Sequence, residues 1–198
     1  DIDKAKTYTF NPCKNITSPF LGSVYINFKS KENLAVPFSA VEVTIKAKGS
    51  VCAVHTYGRR LESQELKGPI DLPRTKETGW TLRGSELITS FAAFHNGIEQ
   101  SEIVFELEVQ SHNGVVATNR FKRNTLPYET VLLKPKELFP NLLKLLGGNL
   151  GHAKVSIFGL IGVFPRMLCG NYLENTSKDS SLLNSLEIQF THTNFDFG

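Results

Sequence analysis

The segment from Ser101 to Ser111 alternates between apolar and polar residues, and this alternation constrains the fold more than any other feature of the chain. Three of its even positions are glutamate, and its odd positions include Ile103, Phe105, Leu107 and Val109. A period of two predicts a strand with one buried face, because successive side chains of a strand point to opposite sides. A helix would scatter the glutamates around its surface. We therefore expect a half-buried strand with the four apolar side chains in the core.

Other segments alternate in the same way or are rich in β-branched residues, which favours strands. They are residues 21–28, 41–46, 51–57, 80–82, 115–121, 128–133, 155–164 and 186–191. We expect Val43 and Ile45 to face the core, and residues 155–164, which are apolar on both faces, to lie deep inside. Residues 51–57 should form a hairpin with 41–46. Residues 87–97 should form a helical turn or a bent strand.

The segment Lys134–Gly151 has a different period. Its leucines and Phe139 recur at spacings of three and four residues, which predicts a short helix with Pro140 near its first turn and Gly147-Gly148 at its end. Long polar loops should span residues 58–78 and 171–184.

Strands outnumber helices along the chain and do not alternate with them, which argues against a parallel α/β sheet. We therefore expect an all-β fold, an antiparallel eight-stranded jelly-roll β-sandwich with one or two short helices. A chain of 198 residues suits one such domain over residues 1–198.

Composition narrows the classes of protein further. No apolar run approaches the ~20 residues that cross a bilayer. The net charge of +3 comes without a basic block of the kind that neutralises packaged nucleic acid. The first residue is Asp1 and no signal-peptide core follows it. We expect an N-terminus made by proteolysis or a trimmed sequence.

The sequence contains no motif for catalysis, cofactor binding or metal binding. The five histidines are dispersed along the chain. The three cysteines, Cys13, Cys52 and Cys169, are odd in number and widely separated, which favours reduced thiols over a disulfide scaffold or a zinc site. Glu106 and Glu108 share one strand face, which is more simply a solvated or partner-facing surface than an acid–base pair. We expect no enzyme activity, no cofactor and no metal.

Three passages share a pattern of apolar and small residues with a known family. They are Cys13 with residues 21–26, 38, 41–45 and 51–57; the approach to the central strand, 92–97; and the last strand and tail, 186–190 and 193–197. Together they resemble the coat proteins of picorna-like plant viruses, the secovirids, and in particular the small capsid subunits of the cheravirus, sadwavirus or fabavirus kind. The segment Lys134–Gly151 has no counterpart in this resemblance.

The resemblance implies a structural capsid subunit cut from a polyprotein. Such a subunit is a jelly-roll wedge that assembles with other coat proteins into an icosahedral virion around single-stranded RNA, in the host cytoplasm. Because a basic arm is missing, we expect RNA contact to be weak and non-specific. The candidate RNA-facing residues are the scattered cations Lys4, Lys6, Arg120 and Lys122.

Two other classes remain open. One is a secreted β-sandwich binding module of the lectin or cytokine kind, for which the glycosylation sequons at Asn15 and Asn175 would supply glycans. The other is a β-rich viral movement protein, which would associate with membranes or tubules without forming particles.

Overall fold

The chain folds into antiparallel β-sheets with two short helices. A computed structural model describes residues 8–17, 22, 24, 26, 39–47, 50–58, 75–96, 100–158, 166–173 and 186–189. In these residues the strands are β1 (Ser39–Ala47), β2 (Ser50–Gly58), β3 (Thr75–Arg83), β4 (Ile88–His95), β5 (Ser101–Ser111), β6 (Gly114–Thr125), β7 (Thr130–Leu133), β8 (Leu150–Phe158), β9 (Arg166–Leu173) and β10 (Leu186–Gln189). The helices are α1 (Pro135–Leu138) and α2 (Leu142–Leu146). The predicted all-β class and antiparallel pairing are confirmed.

The described strands form one two-stranded sheet and two four-stranded sheets. β1 and β2 make the expected hairpin, with Lys46 opposite Val51. The first four-stranded sheet has the order β3-β8-β5-β6, and the second has the order β10-β9-β4-β7. Among consecutive strands from β3 to β10, only β5–β6 and β9–β10 are neighbours in one sheet. The chain therefore passes repeatedly from one four-stranded sheet to the other.

One hydrophobic core joins the two four-stranded sheets. The four predicted core residues of β5 are fully buried, which confirms the half-buried strand. On the neighbouring strand, Val155 lies opposite Leu107 and Ile157 lies opposite Phe105. The Phe105 ring meets Phe94 of the second sheet edge to face, with 5.3 Å between centroids. Such aromatic pairs add to the free energy gained from burial alone.

A buried group of hydrogen bonds also connects the sheets, from β3 to β4 and β9. Ser90 Oγ donates to Asn171 Oδ1 at 2.6 Å and accepts from the backbone N–H of Arg83 at 3.2 Å. Asn171 Nδ2 donates to the carbonyl of Thr81 at 3.4 Å. Ser90 and Asn171 are both buried, and burial of a polar group is unfavourable unless it is hydrogen-bonded. These bonds therefore favour one alignment of β3 against the second sheet.

The helical segment is more divided than the sequence predicts. Residues 139–141 separate α1 from α2, so Pro140 lies in the link, directly before Asn141, the N-cap of α2. Pro140 therefore lies near the first turn of α2 but not within a helix. Pro135 begins α1, where the missing N–H of proline is not needed. Gly147 ends α2 with a left-handed φ of 59°, as predicted.

Two other expectations about the core and the loops are corrected. Val43 is 42% exposed, because β1 belongs to the separate two-stranded sheet and not to the sandwich; Ile45 is half-buried. The prediction of a polar loop from Asn171 is wrong for residues 171–173, which complete β9. The segment 87–97, for which a helical turn was one alternative, contains the strand β4.

Several predicted segments fall partly or wholly outside the described residues. The predicted strand 21–28 is described only at residues 22, 24 and 26, and most of the two predicted loops is not described. The predicted strand 155–164 coincides with β8 as far as Phe158, and 186–191 with β10 as far as Gln189.

Replacement of Phe105 tests the central position of β5. Phe105→Ala should lower the free energy of unfolding by ~3–5 kcal/mol, because truncating a fully buried aromatic ring leaves a cavity. A urea titration followed by fluorescence or circular dichroism measures the change. Val115→Ala, at an exposed position of β6, is the control and should change it by less than ~0.5 kcal/mol. Equal effects of the two substitutions would contradict the assigned core.

Candidate interaction surface

The outward face of the first four-stranded sheet carries alternating charges. Residues opposite one another on paired strands project to the same side of a sheet. Glu106 therefore meets Arg120 of β6 at 3.6 Å, and Glu108 meets Lys154 of β8 at 3.9 Å. Glu102 reaches Lys122 of β6 diagonally at 3.0 Å, because Lys122 lies opposite Val104. We call this row of pairs the charge ladder. Each pair is partly exposed and contributes little to stability by itself.

The predicted RNA-facing cations divide into two groups. Lys4 and Lys6 lie outside the described residues. Arg120 and Lys122 lie on the outward face of β6 and belong to the charge ladder. Arg120 also lies 4.9 Å above the ring of Phe158, in cation–π geometry. Because a carboxylate already accompanies each of these two cations, a phosphate would have to compete for them. RNA contact through them stays a prediction.

A tight turn between β6 and β7 presents apolar side chains to solvent. It spans Leu126–Glu129, and we call it the Pro127 turn. The N–H of Glu129 donates to the carbonyl of Leu126 at 3.1 Å. Pro127 stands at the second position and Tyr128, with φ of 61°, at the third, which is the arrangement of a type II turn. Glycine is favoured at that third position, because a left-handed φ costs a residue with a side chain ~1–2 kcal/mol.

Hydrogen bonds hold the Pro127 turn from two sides. The Glu129 carboxylate accepts from the N–H of Leu126 at 2.8 Å and from the guanidinium of Arg123 at 2.7 Å. Asn96, which follows β4, donates its backbone N–H to the carbonyl of Glu129 and its side-chain amide to the carbonyl of Leu126, both at 2.9 Å. Leu126 and Tyr128 nevertheless remain 61% and 55% exposed. The hydrogen bonds therefore fix the conformation of the turn, while its apolar side chains remain exposed to solvent.

The charge of Glu129 matters for this bracing. The hydrogen bond from the backbone of Leu126, and secondly that from Arg123, lower the pKa of the Glu129 carboxyl below its ordinary value of 4.5. Both donors bind the ionised form more strongly than the neutral acid.

A histidine lies close to the Pro127 turn. The Nδ1 of His95 lies 3.4 Å from Thr130 Oγ1, and burial lowers the pKa of this imidazole from 6.5. His95 is therefore mostly neutral near pH 7.

Exposed apolar side chains also lie at the other end of the first sheet. Leu87, Val115 and Leu150 are each more than half exposed, and we call this group the Leu150 end. Leu150 begins β8 opposite Arg83 at the end of β3, Leu87 lies in the turn after β3, and Val115 lies near the start of β6. β6 runs from Val115 to the Pro127 turn, a length of ~37 Å at ~3.4 Å per residue. The two groups therefore occupy opposite ends of the sandwich.

The described part of the chain contains no cluster of three or more His, Cys, Asp or Glu side chains arranged to hold a metal ion. All three cysteines are described, and none forms a disulfide; Cys13 is exposed, Cys52 half-buried and Cys169 buried. No helix within the described ranges has the length and apolar character needed to span a membrane. The absence of metal, cofactor and enzyme activity stays a prediction for the whole chain.

Comparison of the chain with protein-family models, with curated proteins and with solved structures finds no match. The assignment to a plant-virus coat protein is thus a proposal that depends on the residues and the fold.

The charge ladder leads to a test with RNA. Glu102→Gln combined with Glu106→Gln removes the carboxylates beside Lys122 and Arg120 and should strengthen binding to single-stranded RNA. The slope of log affinity against log salt concentration should steepen by about 0.7 to 1.4, because each of the one or two additional phosphate contacts contributes ~0.7. Fluorescence anisotropy of a labelled oligouridine across a salt series measures both effects.

The matched control for the RNA experiment is Glu42→Gln combined with Glu86→Gln. Both positions are exposed. Glu42 lies on β1 in the two-stranded sheet, and Glu86 follows β3, at the opposite edge of the first four-stranded sheet from β6. The control changes the net charge by the same amount. If both double variants bound RNA equally well, net charge would account for the gain, and the paired glutamates would have no specific role.

The Pro127 turn leads to a prediction about acid stability. Since the pKa of Glu129 is lower in the folded chain than in the unfolded chain, its contribution to stability is present above pH 4.5 and is lost as the pH falls below that value. Glu129→Gln should lower the free energy of unfolding by about 1 kcal/mol at pH 7. Urea titrations from pH 7 to pH 3 should show this difference shrinking with acid. A difference that grew toward pH 3 would refute the role assigned to the carboxylate.

Proposed function

We propose that the chain is a structural subunit of a virus capsid, a coat protein that assembles with other coat proteins into an icosahedral shell around single-stranded RNA. The observation that carries the proposal is that a domain with a filled core leaves many large apolar side chains in solvent. In the described residues these are Tyr8, Phe10, Ile16, Val24, Val43, Val51, Leu87, Val115, Leu126, Tyr128 and Leu150. Single exposed apolar residues are ordinary, but groups of them favour contact with other proteins.

The distribution of these side chains supports contact with several neighbours. They lie on the segment 8–17, at Val24, on the β1–β2 hairpin and at both ends of the first four-stranded sheet. A protein with one binding partner needs one such surface, whereas a shell subunit is surrounded by other subunits. Large, partly apolar interfaces of ~2,000 Å² or more are typical of obligate assemblies. The proposed location is accordingly the virion, and the host cytoplasm during assembly.

The strand order supports a fold related to the jelly roll. In a jelly roll of eight strands, the second strand pairs with the seventh and the third with the sixth. If β3–β10 are counted as the eight strands, β4–β9 and β5–β8 are these two pairs. The other four pairs, β3–β8, β5–β6, β4–β7 and β9–β10, depart from that pattern. We include a jelly-roll-related wedge in the proposal on the basis of the two central pairs.

The charge ladder supports the expectation of weak RNA contact. Arg120 and Lys122 stand beside glutamates, so the outward face of β6 presents balanced charge and no cationic stripe. Strong binding to a phosphate backbone needs several uncompensated cations. In the proposed capsid, assembly is driven mainly by contacts between protein subunits.

One observation favours a second candidate, a secreted β-sandwich binding module. Asn15, in the sequon Asn15-Ile16-Thr17, is exposed and therefore accessible to glycosylation. Intact mass measurement of protein from the native source, before and after treatment with a glycosidase, distinguishes the two functions. A mass decrease would favour the secreted module, and an unchanged mass is expected for the coat protein.

Electron microscopy of the native source material tests the capsid proposal directly. Antibodies raised against the purified chain and coupled to gold should label closed particles of uniform diameter. Antibodies absorbed with the purified chain are the control and should label nothing. Gold restricted to soluble protein, membranes or tubules, without particles, would refute a capsid role.

A further inference from the structure

We propose that Asn113 is a site of spontaneous deamidation, and that the fold protects a second Asn-Gly pair from the same reaction. The sequence contains two such pairs, Asn96-Gly97 and Asn113-Gly114. Glycine after asparagine hinders the reaction least, because glycine has no Cβ. Since the two pairs are alike in sequence, a difference in their reactivity has to come from the structure around each. The site does not depend on the proposed function.

The reaction joins the side chain of asparagine to the backbone of the next residue. The backbone nitrogen of Gly114 attacks Cγ of the Asn113 side-chain amide, and the new N–Cγ bond closes a succinimide ring. The bond between Cγ and Nδ2 breaks, and ammonia leaves with the proton that the Gly114 nitrogen has lost. Water then adds to one of the two ring carbonyl groups that flank the nitrogen and opens the ring, which gives aspartate or isoaspartate.

Asn113 lies in an open part of the structure. Ser111 ends β5 and pairs with Gly114 at the start of β6, so His112 and Asn113 form the connection between the strands. His112, Asn113 and Gly114 are all exposed. Asn113 donates its backbone N–H to Ser111 Oγ at 3.1 Å, but among the described residues its side-chain amide has no hydrogen-bond partner. The amide is therefore free to rotate toward the backbone.

The space around Gly114 also favours the reaction. Apart from its chain neighbours, no atom of the described residues lies within 4 Å of the position that a Cβ would occupy. The constraint that remains is the pairing with Ser111, because the ring closes only when Asn113 and Gly114 leave their turn conformation. Ser111–Gly114 is the last pair of the β5–β6 ladder, and the ends of a ladder open locally at a low free energy.

Asn96 has the opposite surroundings. It is fully buried, and its Nδ2, the atom that would leave as ammonia, donates to the carbonyl of Leu126 at 2.9 Å. Its backbone N–H donates to the carbonyl of Glu129 at 2.9 Å. Rotation of this amide would break a buried hydrogen bond and disturb the Pro127 turn, which is unfavourable. Gly97 lies outside the described residues, so the expected protection depends on the contacts of Asn96.

Both products change the end of the β5–β6 hairpin. Aspartate places a negative charge two residues before the exposed side chain of Val115. Isoaspartate carries the same charge and also lengthens the main chain, because the peptide bond to Gly114 is then made by the side-chain carbonyl. The length of a connection helps to fix the register of its strands. We therefore expect isoaspartate to loosen the two adjacent pairs, Ser111–Gly114 and Gln110–Val115.

The experiment follows the full chain during a warm incubation at mildly alkaline pH, with and without urea at a concentration that unfolds it. Cleavage at glutamate places the two pairs in different peptides, residues 87–99 and 109–129. Mass spectrometry then measures deamidation, and fragment ions assign it to the individual asparagine. In the folded chain Asn113 should react at least about tenfold faster than Asn96, because exposure of Asn96 needs a larger opening of the structure. In urea the two rates should agree within about threefold, because this protection is lost.

Two variants identify the product and its site. Asn113→Ser keeps a polar residue that suits a turn but cannot form the ring. On ion exchange, its acidic form should accumulate at least about tenfold more slowly than that of the wild-type chain, because the remaining asparagines react only when the structure opens. Asn113→Asp is the standard for the aspartate product. The start of β6 should exchange its amide hydrogens faster in the aged wild-type chain than in Asn113→Asp, because that variant lacks isoaspartate.

Four outcomes would overturn the proposal. In the folded chain they are equal rates at Asn96 and Asn113, or an Asn113 that stays intact while both sites react in urea. The third is a difference that persists undiminished in urea, which would assign it to the neighbouring sequence and not to the fold. The fourth is an acidic form of Asn113→Ser that accumulates at the wild-type rate. Unchanged hydrogen exchange in the aged chain would overturn the expected effect on the hairpin. The capsid role is tested separately, by gold labelling of native particles.

Discussion

Packing of the inward face of β5 against the second sheet is the interaction on which the rest of the fold depends. β5 lies between β6 and β8, and its buried side chains lie opposite those of β8. The edge-to-face contact of Phe105 with Phe94 connects this layer to the other sheet. Because side chains alternate along a strand, an inward row of apolar residues forces the intervening residues outward. The same alternation that builds the core therefore also places the glutamates of the charge ladder on the surface.

Sequence reasoning succeeds where the two faces of a strand have different surroundings. β5 is buried on one face and exposed to solvent on the other, so its alternation of apolar and polar residues is visible in the sequence alone. β9 was not predicted, because its inner residues include a polar side chain, Asn171, whose burial depends on hydrogen bonds to Ser90 and to the carbonyl of Thr81. Val43 shows the reverse error. Alternation identifies one side of β1 as apolar, but it does not say whether another layer covers that side.

Arg120 and Lys122 were identified from the sequence as candidate RNA contacts by their charge alone. Their neighbours depend on the register between β5 and β6, and this register includes an irregularity between Val109 and Gln110. A shift by one residue would send every side chain of β6 to the opposite face. The pairing of Arg120 with Glu106 is thus a consequence of tertiary structure. Because of this pairing, the positive charges on the outward face of β6 are accompanied by negative charges on β5, and the surface is close to neutral there.

The Pro127 turn shows why a sequence can conceal a candidate contact surface. Proline at the second position of a turn is a readable signal, but a tyrosine at the third gives no indication of a left-handed φ. That conformation exists because Asn96 and the Glu129 carboxylate bind both ends of the turn, and Asn96 is 30 residues away from Leu126 in the chain. Glycine would relieve the strain but would also remove the exposed ring. A strained residue that is largely in solvent makes a small contribution to the stability of its own domain, which is the physical reason for seeking its role in contact with another chain.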